Sequence, residues 1–244
     1  MSNTNYSNIK TVVISLKESN IRRNHIFKTL HSLELYNYSV FNAVNGKNIE
    51  LFPVFNNRIF LVKEPQYKRH YYYDSAKRLN NAGLKNGDLG CSISHLMVYE
   101  QLVNDPDNDY YLIFEDDASE NVSKETIHKF LNNLPSPHQY DLAHLCISDY
   151  FPFEKEVDFN AFYYIPKKNF FNRLTAYVIT KTGALKLLLN NSLIGLTADD
   201  NVSNLFLFSN NFRVIVPNNT LFKHDDYKFN SDTEKINNME IIKN

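Results

Sequence analysis

Short apolar runs alternate with amphipathic segments along the N-terminal part of the chain. The run at 10–16, KTVVISL, is rich in β-branched residues and predicts a buried strand followed by a turn. The next segment carries its apolar positions on one helical face, and Ser19 or Asn20 can cap that helix. A second strand is predicted at 38–44, YSVFNAV. A strand, a helix and a strand in this order predict a βαβ unit and hence a parallel sheet.

The same alternation continues after a long stretch without a clear period. Residues 47–87 include the aromatic and basic run YKRHYYY at 67–73, and irregular segments of this length are usually functional loops. Beyond them, apolar spacing predicts helices at 92–103, 184–189 and 198–208, and strands at 110–114, 140–147, 173–180 and 212–216.

No internal repeat and no Ser/Gly linker divides the chain. We therefore expect one α/β domain over residues 1–227, followed by a polar C-terminal tail at 228–244. Its core is expected to be a mostly parallel, Rossmann-like sheet flanked by helices, with irregular loop insertions.

Composition narrows the possible partners. The 26 Lys and Arg residues nearly balance the 27 Asp and Glu residues, so the formal net charge is -1. This balance argues against a dedicated nucleic-acid-binding protein and against a polybasic membrane-surface protein. No secretory signal is visible, and the two cysteines, Cys91 and Cys146, do not make a disulfide framework. We therefore expect a cytoplasmic protein.

Three consecutive acids, Glu115, Asp116 and Asp117, follow the most hydrophobic predicted strand. Ligands of open α/β sheets bind at the carboxyl ends of the strands, and neighbouring carboxylates resist burial without a counter-charge. Mg²⁺ or Mn²⁺ suits such oxygen ligands and can in turn neutralise a diphosphate. The alternative is that the acids merely leave the strand and cap the next helix at its positive end.

Other enzyme classes fit the sequence less well. A response-regulator receiver would carry its acidic pair after the first strand, and a haloacid-dehalogenase-type phosphatase would carry Asp-x-Asp near the N-terminus; neither pattern is present. The chain has only 6 Gly and no Walker loop, G-x-G-x-x-G or G-x-S-x-G motif. P-loop NTPases, dinucleotide-binding enzymes and α/β-hydrolases are therefore poor fits.

Two segments carry the most specific motifs, GDLGCSISH at 87–95 and LIFEDD at 112–117. They resemble the G-E-x-G-C-x-x-S-H and L-I-L-E-D-D signatures of the bacterial family 25 glycosyltransferases, which build lipopolysaccharide or lipooligosaccharide. Asp88 stands where that signature has Glu. Weaker similarities, in the family's order, are VVISL followed by Arg22-Arg23, FNAVNG with Asn45 in place of Asp, TAYVI at 175–179 and TADD at 197–200.

The resemblance implies a GT-A fold and inverting transfer of a hexose, most commonly galactose or glucose, from a UDP-sugar to form a β-linked product. It also implies Mn²⁺ (or Mg²⁺) bound by Asp117, with His224 as a candidate second ligand. Glu115 or Asp116 is then expected on the donor, for instance on the ribose hydroxyls. The alternative for His224 is an ordinary surface histidine in an acidic turn.

The remaining roles follow from the same resemblance. An inverting displacement needs a base, for which Asp199 is the first candidate and Asp200 the second; the alternative is that they cap a helix. Ser94 and His95 are expected in the donor pocket, although His95 could instead be a core histidine. Arg22 is a candidate phosphate ligand, or simply part of an exposed helix start.

The expected partners are a nucleotide-sugar donor and a glycan or lipid-linked glycan acceptor at the inner face of the cytoplasmic membrane, with no nucleic acid. The run at 67–73 could stack on acceptor sugars, or form a partly ordered lid. Cys91 is expected to be a small buried apolar side chain. The rival hypothesis is a non-catalytic carbohydrate-binding or scaffold protein with the same shell; retention of Asp199 and of the 115–117 acids argues against it.

Overall fold

The computed structural model describes residues 9–54, 58–62, 71–74, 84–146, 153–170, 173–190 and 193–225. The helices are α1 (Asn20–Ser32), α2 (Asn86–Asn104), α3 (Lys124–Asn132), α4 (Lys181–Asn190) and α5 (Ala198–Phe208). The strands are β1 (Thr11–Ser15), β2 (Tyr38–Asn42), β3 (Glu50–Val54), β4 (Arg58–Val62), β5 (Tyr71–Asp74), β6 (Tyr110–Glu115), β7 (Ala118–Glu120), β8 (Leu142–His144), β9 (Lys155–Asp158), β10 (Tyr163–Pro166), β11 (Ala176–Thr180), β12 (Leu193–Ile194), β13 (Val214–Pro217) and β14 (Phe222–His224). Across these ranges, no helix has both the length and the apolar character required to cross a bilayer.

Eight strands form the central sheet, in the order β2-β1-β6-β11-β8-β13-β10-β9. β1 lies between β2 and β6 and is parallel to both, and β8 is parallel to β13. β11 runs antiparallel between β6 and β8, and β10 runs antiparallel to β13 and β9. The predicted α/β architecture is confirmed, including the β1-α1-β2 unit.

Both faces of this sheet are buried, because alternate residues of the inner strands enter two different cores. Val12 and Ile14 of β1 pack in the same core as residues of α2, α4 and α5. Val13, between them, packs with residues of α1 and α3. A strand that is covered on both faces must be apolar at every position, which explains why β1 and β6 read as continuous apolar runs.

The segment at 47–87 differs from the prediction of an irregular insertion. A short 3-10 turn, Gly46–Asn48, leads into β3, β4 and β5, which pair antiparallel in sequence order. β12 adds to β5 in parallel and completes a second sheet. Of the aromatic run at 67–73, residues 71–73 lie in β5, and 67–70 fall outside the described residues, as does the predicted tail at 228–244.

Two of the helices begin earlier than the apolar pattern predicts. α2 begins at Asn86 rather than 92, because its first turn is polar and glycine-containing. There, the backbone N–H of Lys85 donates to the carboxylate of Asp88 at 3.1 Å. Asp88 therefore takes the role in the capping box that Glu usually has at the third helical position. α4 begins at Lys181, where the N–H of Gly183 donates to Thr180 Oγ1 at 3.1 Å.

The turn after β2 and the start of α2 are packed backbone against backbone. The N–H of Val44 donates to Ser94 Oγ at 2.8 Å, and that hydroxyl donates to the carbonyl of Gly90 at 2.6 Å. A Cβ on Gly90 would lie 2.5 Å from the carbonyl oxygen of Val44, and one on Gly46 would lie 2.2 Å from that of Asn86. The two motifs that contain these glycines therefore form one packing unit.

We expect Gly90→Ala to destabilise the protein by about 1–3 kcal/mol, because the new methyl group meets backbone that cannot move aside. Helix propensity alone predicts the opposite sign, about 1 kcal/mol in favour of Ala. Urea unfolding measures the difference. Gln101→Ala, at an exposed position of the same helix, is the matched control and should change stability by less than about 0.5 kcal/mol. A stabilised Gly90→Ala protein would contradict the close packing.

Candidate active site

Three acids converge where β6 ends. Glu115 is the last residue of the strand and pairs with Ile14 of the neighbouring β1. Asp116 and Asp117 form the turn into β7 and are 4% and 3% exposed. They do not cap the next helix, because Ser123 caps α3 by accepting from the N–H of Thr126. The alternative of a helix-capping acidic cluster is therefore wrong.

Arg22, in the first turn of α1, supplies the counter-charge for two of these acids. Its Nε lies 2.5 Å from Asp116 Oδ1, and its terminal nitrogen forms an ion pair with Asp117 Oδ2. The Arg22 side chain is only 12% exposed, so the alternative of an exposed helix start is wrong. One arginine thus bridges two neighbouring carboxylates that would otherwise repel each other.

Asp116 is fixed from a second direction by the end of β1. Ser15 Oγ donates to Asp116 Oδ2. Arg23 in turn donates to the backbone carbonyl of Ser15 at 3.0 Å and to Asn42 Oδ1 at 2.7 Å. Burial raises the pKa of Asp116 to about 6 although Arg22 and Ser15 oppose the shift. With both its oxygens engaged, Asp116 is a structural member of the site.

His224 approaches Asp117 from the far end of the described chain. β14 pairs with β7 so that His224 lies opposite Ala118, and the imidazole Nδ1 is 3.2 Å from Asp117 Oδ1. Burial lowers the pKa of His224, but Asp117 outweighs burial and raises it above 6.5. The His224 side chain is only 13% exposed, so the alternative of an ordinary surface histidine is wrong.

The two carboxylate oxygens of Asp117 are satisfied to different degrees. Oδ2 is paired with Arg22, whereas the buried Oδ1 accepts no well-formed hydrogen bond from the described residues, despite the approach of His224. Burial would raise the pKa of Asp117, but His224 and Arg22 hold it below its ordinary value. Glu115, Asp117 and His224 each offer one atom to a common point, all within 4.8 Å of one another.

His95 joins the acidic turn to a buried chain of phenols. Its Nε2 lies 3.2 Å from Glu115 Oε1 and its Nδ1 lies 2.7 Å from the hydroxyl of Tyr177, which in turn is 3.0 Å from that of Tyr99. The imidazole is 1% exposed. His95 is therefore a satisfied core histidine that also orients Glu115, and its expected place in the donor pocket stays a prediction.

Asp199 lies in the first turn of α5, but Thr197 is the residue that caps this helix. Asp199 Oδ2 accepts the backbone N–H of Arg173 at 3.1 Å, and Oδ1 accepts the hydroxyl of Thr197 at 2.5 Å. Arg173 has a positive φ of 77°, which is uncommon for a residue with a side chain. His144 Nε2 contacts its carbonyl oxygen at 2.9 Å, so the strained residue is held on both sides.

Asp200, the second base candidate, is exposed at the surface of the same turn. Partial burial, with the negative charges of Asp199 and Asp88, raises the pKa of its carboxyl group. Cys91 lies between the two acidic regions: burial first, then Glu115 and Asp199, raise the pKa of its thiol well above the usual range. The thiol is therefore neutral, which argues against a nucleophile, and the side chain packs partly buried against the core instead of lying fully inside it.

The structure thus gathers most of the predicted residues but not all of them. Glu115, Asp116, Asp117, His224 and Arg22 form one contact network, which His95 joins through Glu115. Ser94 is set apart: it is fully buried, and its hydroxyl bonds to the Val44 and Gly90 backbones. Its expected donor contact stays a prediction.

Sequence reasoning missed Arg173 and Tyr177. Arg173 is the first residue of the predicted strand at 173–180, whereas β11 begins at Ala176, and the sequence carries no local signal of the positive φ of Arg173. Tyr177 stands inside the TAYVI segment, where it reads as one more strand residue, although its hydroxyl holds His95. Only the strand pairing, which places Tyr177 opposite Ile113 and His144, reveals what that hydroxyl reaches.

The model of glycosyltransferase family 25, described as an LPS biosynthesis family, matches residues 8–202. The chain belongs to glycosyltransferase family 25. The match covers β1 to the first turn of α5 and includes every predicted site residue except His224. The chain is therefore a glycosyltransferase by family, and the predicted resemblance is confirmed.

Among solved structures, the crystal structure of a glycosyltransferase involved in the glycosylation of the major capsid of PBCV-1 is similar to this chain. The similarity covers 96% of this chain and 98% of that one, at 10% sequence identity and a TM-score of 0.38. A similarity of this size does not extend to individual residues or to the reaction. Comparison with curated proteins gives no significant match.

We expect Arg22→Gln to destabilise the protein by about 3 kcal/mol at alkaline pH, because it leaves two buried carboxylates without their cation. Without Arg22 the pKa of Asp116 rises further above its wild-type value of about 6. The deficit should therefore shrink as the pH falls toward about 6, because the variant takes up the Asp116 proton at a higher pH than the wild type. Urea unfolding at a series of pH values measures both effects.

Arg23→Gln is the matched control, because Arg23 donates to backbone carbonyls and an amide instead of carboxylates. It should cost about 1 kcal/mol, independently of pH. Equal, pH-independent losses in both variants would show that Arg22 acts through packing alone.

Proposed function

We propose that this glycosyltransferase is an inverting enzyme that moves a hexose, galactose or glucose, from a UDP-sugar to a lipopolysaccharide or lipooligosaccharide glycan. The proposal is carried by the Asp117 oxygen that is buried without a well-formed hydrogen bond beside His224 and Glu115. A buried carboxylate oxygen left in this way is costly unless a ligand satisfies it. The donor class and β-linked product follow from the family resemblance.

The donor set fits a divalent cation of the Mn²⁺ type. Two carboxylate oxygens from Glu115 and Asp117 and one imidazole nitrogen from His224 are hard and borderline ligands, which suit Mn²⁺ and Mg²⁺ better than soft metals. When bound, such an ion would supply Lewis-acid stabilisation of the departing diphosphate.

The protein's own residues then have distinct tasks. Arg22 keeps Asp116 and Asp117 ionised and fixed, so that the turn is organised before the donor arrives. Because Arg22 is already paired with both acids, we assign it to the acidic turn and not directly to the donor phosphates. His95 holds Glu115 in place, and Asp116 retains the structural position that Ser15 gives it.

The base for the acceptor hydroxyl is assigned to Asp200 in preference to Asp199. Both oxygens of Asp199 accept hydrogen bonds that fix the start of α5 and the backbone of Arg173. Asp200 is exposed, and its pKa is raised, which improves a carboxylate as a proton acceptor near neutral pH. Asp199 then acts as the clamp on the Asp200 turn.

The rival proposal is a carbohydrate-binding relative without catalysis. Binding of a neutral glycan would not require two buried acids and a third, partly buried acid at one strand end, with an arginine paired to two of them. The cost of burying those charges is understandable if the site handles a metal and a diphosphate. The glycosyltransferase proposal also includes two further expectations. Residues 67–73 contact the acceptor glycan, and the enzyme acts at the inner face of the cytoplasmic membrane.

Asp117→Asn tests the proposed metal site. In the wild type, UDP should raise the melting temperature more with Mn²⁺ than without it, since ligands that bind only the folded state stabilise it. The variant should lose most of this increment, with Mn²⁺ affinity reduced at least ~10-fold, and should release little UDP in a screen of UDP-sugars with a lipooligosaccharide acceptor.

Asp107→Asn, which alters an exposed carboxylate outside both motifs, is the control and should behave as the wild type. Equal Mn²⁺ increments in the Asp117→Asn protein and the wild type would remove Asp117 from the metal site. Absence of UDP release from every donor, with glycan binding retained, would favour the carbohydrate-binding rival.

The pair Asp200→Asn and Asp199→Asn separates the base from the clamp. Asp200→Asn should reduce transfer ~10²–10⁴-fold with little change in melting temperature or UDP binding. Asp199→Asn should lower stability by about 1–2 kcal/mol through the lost hydrogen bonds. Catalysis lost only in the Asp199 variant, with its fold intact, would return the base assignment to Asp199.

A further inference from the structure

A second group of metal-ligating side chains adjoins the acidic turn and shares Glu115 with it. Cys91, His95 and Glu115 each offer one ligand atom, and these atoms lie within 4.8 Å of one another. Cys91 and His95 are four residues apart on α2, so both side chains project from the same helical face. Glu115 completes the group from the end of β6.

His95 is already oriented as a metal ligand would be. Its Nδ1 is held by the Tyr177 hydroxyl at 2.7 Å, and Tyr99 holds that hydroxyl at 3.0 Å, so Nε2 is directed at Glu115, 3.2 Å away. Metal-binding histidines characteristically have their other ring nitrogen fixed by such a partner. The ring cannot turn away without breaking a buried hydrogen bond.

The ligand atoms of this group differ in kind from those of the acidic site. A thiolate, an imidazole and a carboxylate match the ligands of Zn²⁺ and Co²⁺, whereas Mn²⁺ and Mg²⁺ prefer oxygen. Three protein ligands leave a fourth tetrahedral position for water. Cys91 is only partly buried, which leaves the group accessible from outside the core.

We propose that Cys91, His95 and Glu115 form a second metal site, selective for Zn²⁺, and that Zn²⁺ bound there inhibits the enzyme by withdrawing Glu115 from Asp117 and His224. Glu115 belongs to both groups, so a cation held at one of them competes for the carboxylate on which the other depends. The inhibition rests on the proposed function, whereas Zn²⁺ binding itself does not.

The electrostatics favour a dication at this position. Glu115, Asp199, Asp88 and Asp117 all place negative charge near the Cys91 sulfur, and a bound dication compensates that charge. The thiol is neutral in the metal-free protein, so binding breaks its S–H bond, forms the metal–sulfur bond and releases one proton to solvent.

Cobalt titration of the metal-free full-length chain tests the site, because a thiolate bound to Co²⁺ gives a charge-transfer absorption that oxygen and nitrogen ligands do not. The chain has just 2 Cys, so each can be replaced in turn. In the wild type and in Cys146→Ala we expect a charge-transfer band with the intensity of one Co²⁺-bound thiolate per protein. In Cys91→Ser we expect no such band. No band in the wild type, or a band that survives Cys91→Ser, would overturn the proposal.

Tyr177→Phe provides a second variant that keeps every ligand atom. It should retain the absorption band but weaken Co²⁺ binding ~10-fold or more, because the His95 ring loses its hydrogen-bond partner. Melting curves establish that each variant is folded before titration. An unchanged Co²⁺ affinity in a folded Tyr177→Phe protein would contradict the assigned role of His95.

The inhibition is measured as the Zn²⁺ concentration that halves Mn²⁺-dependent UDP release, with each protein normalised to its own uninhibited rate. Cys91→Ser should need at least ~10-fold more Zn²⁺ than the wild type or Cys146→Ala. Equal sensitivity in all three would overturn the inhibition. If no protein releases UDP with Mn²⁺, the proposed function fails, and the cobalt titration still decides the second site.

Discussion

Burial of two adjacent acids, Asp116 and Asp117, directly after the partly buried Glu115 is the constraint on which the rest of the site depends. Asp116 has both oxygens engaged, by Arg22 and Ser15, and so behaves as part of the scaffold. Asp117 pairs with Arg22 through one oxygen, and its other oxygen faces His224. The partner of the second oxygen thus separates a structural carboxylate from the proposed metal ligand, although the two are adjacent in the sequence.

Much of the fold could be predicted because β1, β6 and α5 have clear local patterns, namely apolar runs in the two strands and helical spacing of apolar residues in α5. The antiparallel insertion of β11 between β6 and β8 could not, because a strand's partner is chosen by the whole sheet and not by its own residues. β3, β4 and β5 were hidden for another reason. Proline and clustered aromatic and basic residues in 47–87 obscure the period-two alternation on which strand prediction relies.

The candidate site was predictable as a list of residues but not as a set of contacts. The acidic turn and the His95 motif stand out in the sequence, yet Arg22 could be given acidic partners only once α1 was packed beside β6 and β7. Asp199 illustrates the converse. Its carboxylate chemistry suggests a base, whereas its hydrogen bond from the backbone of Arg173 supports the proposed role as a clamp, and only three-dimensional structure supplies that neighbour.

The pairing of β14 with β7 has a consequence for the lifetime of the site. His224 reaches Asp117 only through this two-stranded sheet of three residues each, and so small a sheet is marginal by itself. Its anchor is Phe222, fully buried against the Phe114 ring at a centroid distance of 4.9 Å. The position of His224 beside Asp117 therefore depends on an aromatic contact in the apolar core, and loosening that contact would release the histidine from the charged site.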